Sequence, residues 1–269
     1  MDAEIHFPFN MIFASWNVNS IRVRLEALKY LIDKIKPDLL FLQEIKSQEK
    51  DFPIEFINKL GYQSYYVCQK SYNGVSVLSK TKLTVVQKSL PGNEEDTEAR
   101  YIECQIKDKN IRLACIYLPN GNPVNSKKFS YKLDWMERLY QHTQKLLALE
   151  EILILGGDFN IIPNAKDADN IDEWHDDALH HVKSLTKFRN IINLGFTDAF
   201  RTLDESKQKY TFWDYQKGSW QRNKGLRIDH FILSPQASDL LEDCQIEKSL
   251  RGMERPSDHV PIWCKLNIS

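Results

Sequence analysis

The chain has 269 residues, 36 basic and 37 acidic, for a formal net charge of −1. Hydrophobic residues make up 42% and charged residues 27%, a balance that suits a globular core and excludes a disordered, collagenous or coiled-coil chain. Aliphatic runs such as Leu39-Leu40-Phe41-Leu42 and Ile152-Leu153-Ile154-Leu155 are four residues long; a membrane helix needs about 20, so no membrane span is expected.

Residues 1–10 read as an N-terminal extension and 11–269 as one continuous domain, with no repeat or Gly/Ser/Pro-rich linker. Met1-Asp2-Ala3-Glu4 is acidic, with no basic and apolar leader behind it. The five cysteines (68, 104, 115, 244, 264) are scattered and lack zinc-site spacing. Buried thiols in a reducing, cytoplasmic compartment are the expectation.

The first strand is expected over 11–16. A helix comes next over 20–36, with Ile21, Leu25, Leu28, Leu31, Ile32 and Ile35 on one face, Ser20 as N-cap and Pro37 as its stop. Further strands fall at 38–43, 62–67, 74–79, 83–88, 101–107 and 111–117. A second helix spans 127–149 through Phe129, Leu133, Met136, Tyr140 and Leu147. Next come a strand at 151–156, a helix at 178–194 ending at Gly195, and a strand at 228–233. Ser234-Pro235 opens a short helix, and the last strand covers 260–267. Ten strands exceed one comfortable twisted sheet, so the pattern predicts a layered α/β domain with two packed sheets.

Charge is segregated. Residues 207–227 hold Lys207, Lys209, Lys217, Arg222, Lys224 and Arg227 against the single acid Asp214, interleaved with Tyr210, Phe212, Trp213, Tyr215 and Trp220. Residues 166–177 hold six acids and one lysine. A near-zero sum therefore leaves room for a polyanionic partner.

The residues at the ends of the apolar strands carry the chemistry. Asn17, Glu44, Tyr117, Asp158 with Asn160, Asp229, and Asp258-His259 each stand at the terminus of a different strand. Each has an ordinary alternative: a solvated loop glutamate, a turn-capping asparagine, a core tyrosine, a turn histidine. The bland reading must hold six times over. Converging, they form an acidic pocket on rigid supports. Glu44, Asn17 and Asp258 offer hard oxygen ligands suited to Mg²⁺ or Mn²⁺ rather than zinc. His259 gives an imidazole beside a carboxylate, Asp158 can take a proton from water, and Asn160 can position. Such parts suit metal-assisted phosphoester hydrolysis.

Seven blocks carry a family resemblance: Ser15-Trp16-Asn17-Val18-Asn19-Ser20-Ile21-Arg22, Leu42-Gln43-Glu44-Ile45-Lys46, Tyr117-Leu118-Pro119-Asn120-Gly121, Gly157-Asp158-Phe159-Asn160-Ile161, Thr211-Phe212-Trp213-Asp214-Tyr215, Leu226-Arg227-Ile228-Asp229 and Pro256-Ser257-Asp258-His259-Val260-Pro261. In this order the chain resembles exonuclease III-type AP endonucleases of the endonuclease/exonuclease/phosphatase superfamily. The resemblance implies a four-layered α/β sandwich, two mixed β-sheets flanked by helices. It implies incision of double-stranded DNA 5′ to abasic sites and trimming of damaged or recessed 3′ ends, by a monomer using Mg²⁺ or Mn²⁺.

Roles carry over position by position. Glu44 would bind the principal metal, with Asn17 and Asp258 close by. Asp158 would activate the water, Asn160 hold it, His259 with Asp229 stabilise the phosphate, and Tyr117 contact the phosphate or assist the leaving oxygen. Asp158, Asn160 and His259 would also line a second metal position. Phe212, Trp213, Leu226 and Ile228 match the pocket for the extruded abasic sugar. Arg22, Asn120, Lys128 and Asn223 match phosphate or groove contacts. Asn19, His230 and the stretch 163–184 depart from the family pattern. The runner-up is a superfamily phosphoesterase acting on RNA, a phosphoinositide or a sphingolipid headgroup, and the third reading is an inactive DNA-binding module.

Overall fold

The computed structural model describes residues 9–205 and 208–268, so the N-terminal eight residues and Lys207 lie outside the described residues. In chain order the elements are β1 (Phe9–Asn17), α1 (Leu25–Ile35), β2 (Leu39–Gln43), α2 (Ile54–Lys59), β3 (Gln63–Val67), β4 (Val75–Ser79), β5 (Thr84–Gln87), β6 (Tyr101–Ile106), β7 (Ile111–Tyr117) and α3 (Lys127–Leu147). They continue as β8 (Ile152–Asp158), α4 (Val182–Ile192), β9 (Thr197–Asp198), α5 (Ala199–Leu203), β10 (Asp229–Leu233), α6 (Pro235–Ser238), β11 (Leu241–Ile246) and β12 (Ile262–Ile268).

The strands form two six-stranded sheets, ordered β11-β12-β1-β2-β4-β3 and β5-β6-β7-β8-β10-β9. Each is mixed: β1 runs parallel to β2 and β7 parallel to β8, and the other pairs are antiparallel. Phe13, Phe41, Leu113, Ile154, Phe231 and Ile262 fill the seam between the sheets. The outer face of the first sheet is covered by Leu28, Leu31 and Ile32 of α1, and that of the second by Trp135, Met136 and Leu139 of α3 with Leu185 and Phe188 of α4. The expected four-layered sandwich is therefore observed. Gly156 lets the sheets close on each other, since a Cβ there would lie 2.4 Å from the Phe41 ring and 2.5 Å from that of Phe231.

All ten expected strands form, with β1 starting at Phe9 inside the expected extension. Two helices begin later than expected. Ser20 caps nothing: it sits at φ 88° with its N–H donating to Glu44 O at 2.8 Å, and residues 21–23 make a 3₁₀ turn before α1. The segment after Asn17 is thus tied to the β2 exit instead of opening a helix. The helix expected from 178 starts at Val182, because Asp177 Oδ1 and Asn122 Oδ1 accept from the Leu179 and Ala178 amides and hold a turn there. Ser126 and Ser234 do cap α3 and α6. The short α2, α5 and β9, and the partly polar β11, have no counterpart among the expected elements.

Candidate active site

Strand register brings the chemistry together. Asp158 ends β8, facing Tyr117 of β7 on one side and Asp229 of β10 on the other. In the other sheet Asn17 ends β1 beside Gln43, so Glu44 emerges next to it. Asn17 Nδ2 joins the two sheets, donating to Glu44 Oε1 at 2.8 Å and Asp158 Oδ2 at 2.9 Å. His259 arrives from the turn before β12. Its backbone is fixed by Trp16 Nε1 donating to His259 O at 3.1 Å, and by Ser257 Oγ, which accepts from His259 N and donates to Asn17 O. Its Nδ1 lies 2.8 Å from Asp229 Oδ2, while Nε2 points toward Asp158 with 3.8 Å to Oδ2. With Nδ1 held by a carboxylate, Nε2 is the nitrogen presented to the cleft.

Asn160 sits at φ 45°, and its N–H donates to Asp158 Oδ1 at 2.9 Å. Its side chain bridges two loops, donating to Leu118 O and accepting from Asn120 Nδ2. Beneath them the buried ammonium of Lys132 donates to Asn160 O at 2.7 Å and Asn120 O at 3.1 Å. Gly121, at φ 86°, leaves the passage for it; a Cβ there would stand 2.6 Å from Lys132 Cδ. Asp258 Oδ1 accepts from Asn19 Nδ2 at 3.0 Å. Lys46 pairs with Glu44 Oε2 at 2.8 Å and donates to Asn19 Oδ1 at 2.6 Å.

Electrostatics follow from burial and neighbours. Burial, reinforced by Asp229, raises the Asp158 carboxyl to about 7 against the opposing pull of His259. Burial disfavours charge on His259, but Asp229 and Asp158 overcome it and raise the imidazole to about 10. Burial, with Glu44 and Asp158, pushes the Tyr117 phenol well above its ordinary value. Burial also opposes the Glu44 charge, yet Lys46 and Asn17 bring its carboxyl below the usual range.

The cleft encloses about 380 Å³. Glu44, Tyr117, Asn120, Asp158, Asn160, Phe212, Leu226, Ile228, Asp258 and His259 line it. Asn17 and Asp229 are buried supports. Trp213 is a correction: it is fully buried, edge-on to Trp220 with centroids 4.9 Å apart. The extended backbone bridges Phe212 to Leu226 and His259, and alternation sends the next side chain to the opposite face. Arg227 also leaves the expected basic face. Its guanidinium is fully buried between Asp167 and Asp198 and donates to His230 Nδ1. Arg22, Lys128 and Asn223 are exposed and outside the cleft wall, and Asn223 Oδ1 accepts from Lys248 Nζ at 3.2 Å. Sequence reasoning missed Trp174 and Leu179 on the wall, both inside the divergent 163–184 stretch, and Lys132. Lys132 did leave a signal, lying three residues after Phe129 and four before Met136 on the apolar face of α3.

The donor set fits a divalent cation. Ligand atoms of Asp158, Asp229 and His259 lie within 4.8 Å of one another, and Asp229 Oδ1 is buried without a hydrogen-bond partner among the described residues. A dication meets the hard-oxygen preference and relieves that concentration of carboxylates.

Two facing mixed sheets that present carboxylates, amides and one carboxylate-held imidazole from their strand ends define a hydrolase of the phosphoesterase class. The chain belongs to the endonuclease/exonuclease/phosphatase family, whose profile matches residues 14–259. It is similar to exodeoxyribonuclease III of Haemophilus influenzae, 32% identical over 95% of this chain and 99% of the relative. It is also similar to the DNA repair nuclease APEX1 of Danio rerio, 31% identical over 96% of this chain and 83% of the relative. Among solved structures it matches the 3′ phosphatase NExo from Neisseria bound to product DNA hairpin, with TM-score 0.92 and 33% identity over 95% and 99% of the two chains. An AP endonuclease from Archaeoglobus fulgidus matches with TM-score 0.91 and 31% identity over 96% and 100%.

Proposed function

We propose that this chain is a DNA repair phosphodiesterase, dependent on Mg²⁺ or Mn²⁺, that hydrolyses double-stranded DNA 5′ to abasic sites and trims damaged or recessed 3′ ends. The observation that carries the reading is the Asp158–His259–Asp229 constellation, joined to Glu44 through Asn17, at the foot of a cleft with the apolar wall Phe212, Leu226 and Ile228. That wall suits a sugar without its base, and a missing base makes extrusion less costly.

Glu44, with Asn17 and Asp258 nearby, would hold the metal, and Asp158 and Asn160, with His259 only as a neutral imidazole, would offer a second position. The bound ion supplies Lewis-acid polarisation of the phosphate and neutralises charge in the cleft. Asp158 accepts the proton of the attacking water, aligned with help from Asn160. His259, charged at neutral pH and oriented by Asp229, donates from Nε2 to a nonbridging oxygen as negative charge grows there. Tyr117 keeps its proton and can give it to the leaving 3′ oxygen as the new O–P bond forms and the old P–O bond breaks. The products are a 3′-hydroxyl and a 5′-phosphate. A monomer in the cytoplasm is the proposed working form, in keeping with five free cysteines. No helix among the described residues is long and apolar enough to cross a membrane.

The test is incubation with end-labelled duplexes, abasic or with a recessed 3′ end. Cleavage that EDTA abolishes and Mg²⁺ restores supports the reading. Restoration by zinc alone, equal turnover of a phosphoinositide, or binding without cleavage would each overturn it.

A further inference from the structure

A second cavity of about 340 Å³ adjoins the catalytic cleft, and Trp174, Phe212, Asp214 and Leu226 line both. Its size falls within the range of small-molecule sites, roughly 300–1,000 Å³. Two chain segments build it: residues 169–174 of the divergent stretch, and the loop 214–224 of the basic-aromatic stretch. Lys224 ties them together, with Nζ 3.6 Å from Glu173 and 3.9 Å from Asp169. Ser219 and Arg222 line only this second space. The Trp174 indole N–H, in the shared partition, is buried with no hydrogen-bond partner among the described residues.

We propose that this cavity receives the base of a 3′-terminal nucleotide while its sugar and phosphate occupy the catalytic cleft. The inference rests on the proposed nuclease activity and gives its 3′-end trimming a base subsite of its own. An abasic sugar needs only the Phe212–Leu226–Ile228 wall. A base-bearing nucleotide processed at the same phosphate needs somewhere to put its base, and the adjoining cavity is reached along the same wall. Every nucleobase has a π face to set against Trp174 and Phe212, and ring or carbonyl acceptors for the orphaned indole N–H and for Arg222. Three acids, Asp169, Glu173 and Asp214, offset Lys217, Arg222 and Lys224 around the rim. That balance disfavours a phosphate as occupant and suits a neutral, polar-edged base. Recognition through stacking tolerates all four bases, as end trimming requires.

The test fills the cavity without touching the cleft, through Ser219→Trp, with Arg222→Ala as a milder companion. Each variant is given two duplexes, one with an internal tetrahydrofuran site and one with a recessed, base-bearing 3′ end. The expected result is a loss of trimming by about 10- to 100-fold in Ser219→Trp, the worth of one stacked base. Incision at the base-less site stays within about twofold because no contact to the sugar or phosphate has changed. A 3′-terminal 2-aminopurine should lose its fluorescence quenching in the same variant. Unchanged trimming, or equal loss on both duplexes with the melting temperature preserved, would overturn the subsite. Should Ser219→Trp fail to fold, Arg222→Ala decides by the same ratio. A wild-type chain that processes neither duplex overturns the proposed nuclease activity itself, and with it the subsite.

Discussion

Replacing Lys132 with methionine separates what this buried ammonium does for the site from what it does for the fold. Burial brings its pKa down to about 7, against the opposing pull of Asp177 and Asp158. With an ordinary value of 10.5 in the unfolded chain, the unfolded state binds the proton more readily over that window. The native state is therefore penalised below pH 7 by about 5 kcal/mol, and the penalty fades as pH rises toward the unfolded value. Methionine fills a similar volume and removes the penalty, but it strands the carbonyls of Asn120 and Asn160 at about 1–3 kcal/mol each. At neutral pH the two effects offset to within a few kcal/mol, so the variant should melt near the wild type. In alkaline buffer the penalty has faded and the variant should become the less stable protein. Activity should not be spared. The freed loops carry Asn160, and a misplacement of about 1 Å can cost about 100-fold in rate. Melting curves at neutral and alkaline pH, alongside kcat and KM for Mg²⁺-dependent incision, provide the measurement. Wild-type kcat, or a stability difference that does not change with pH, would refute the reasoning.

Asp158→Asn and His259→Ala should each lower cleavage of an abasic duplex by about 1,000-fold or more, as loss of a proton acceptor or a charge-stabilising donor does. DNA binding by gel shift should largely survive in both, and retained turnover would refute the assignments. In the wild type, the acid limb of activity should lie at or below about pH 7, where burial places the Asp158 carboxyl; a bound dication only moves it lower. Burial and the Arg227 charge bring His230 down to about 4, so between its ordinary 6.5 and that value the unfolded state gains the proton first. His230 thus withdraws up to about 3 kcal/mol of stability as pH falls from 6.5 to 4, and His230→Leu melts should lack that component of the slope. Affinity for duplex should fall linearly with log salt, and Lys128→Ala, at an exposed position matched to a phosphate contact, should lower the slope by about one.

Much of the site was legible because its residues terminate apolar runs. A buried strand announces itself by continuous hydrophobicity, and the residue that ends it is fixed in space by the ladder. Asn17, Glu44, Tyr117, Asp158 and Asp229 were therefore found from the strands alone, and register then placed Tyr117 and Asp229 on either side of Asp158. Trp213 was misplaced because block identity names a stretch, whereas the alternation of an extended backbone decides which side chain faces the cleft. The motif holds Phe212 and Trp213 equally; only the bridges to Leu226 and His259 reveal that Phe212 is the wall.

The remaining surprises share a physical origin, since charged side chains read as solvated unless their partners are known. Arg227 looked like part of a DNA-facing surface, yet Asp167 and Asp198 hold its guanidinium from two sides in the interior. The consequence reaches the cleft. His230, whose Nδ1 accepts from Arg227, stands 3.1 Å by Nε2 from Ile161 O, directly after the Asp158–Asn160 segment, and Asp167 belongs to the stretch that carries Trp174. One buried cation thus couples the β8 exit, the β10 entry and the divergent loop. Removing it would deprive Asp198 of its guanidinium and leave Asp167 with Arg201 alone, at a cost of several kcal/mol. The stretch 163–184 is thereby anchored to the strands at Asp167, seven residues before Trp174, the wall that the two cavities share.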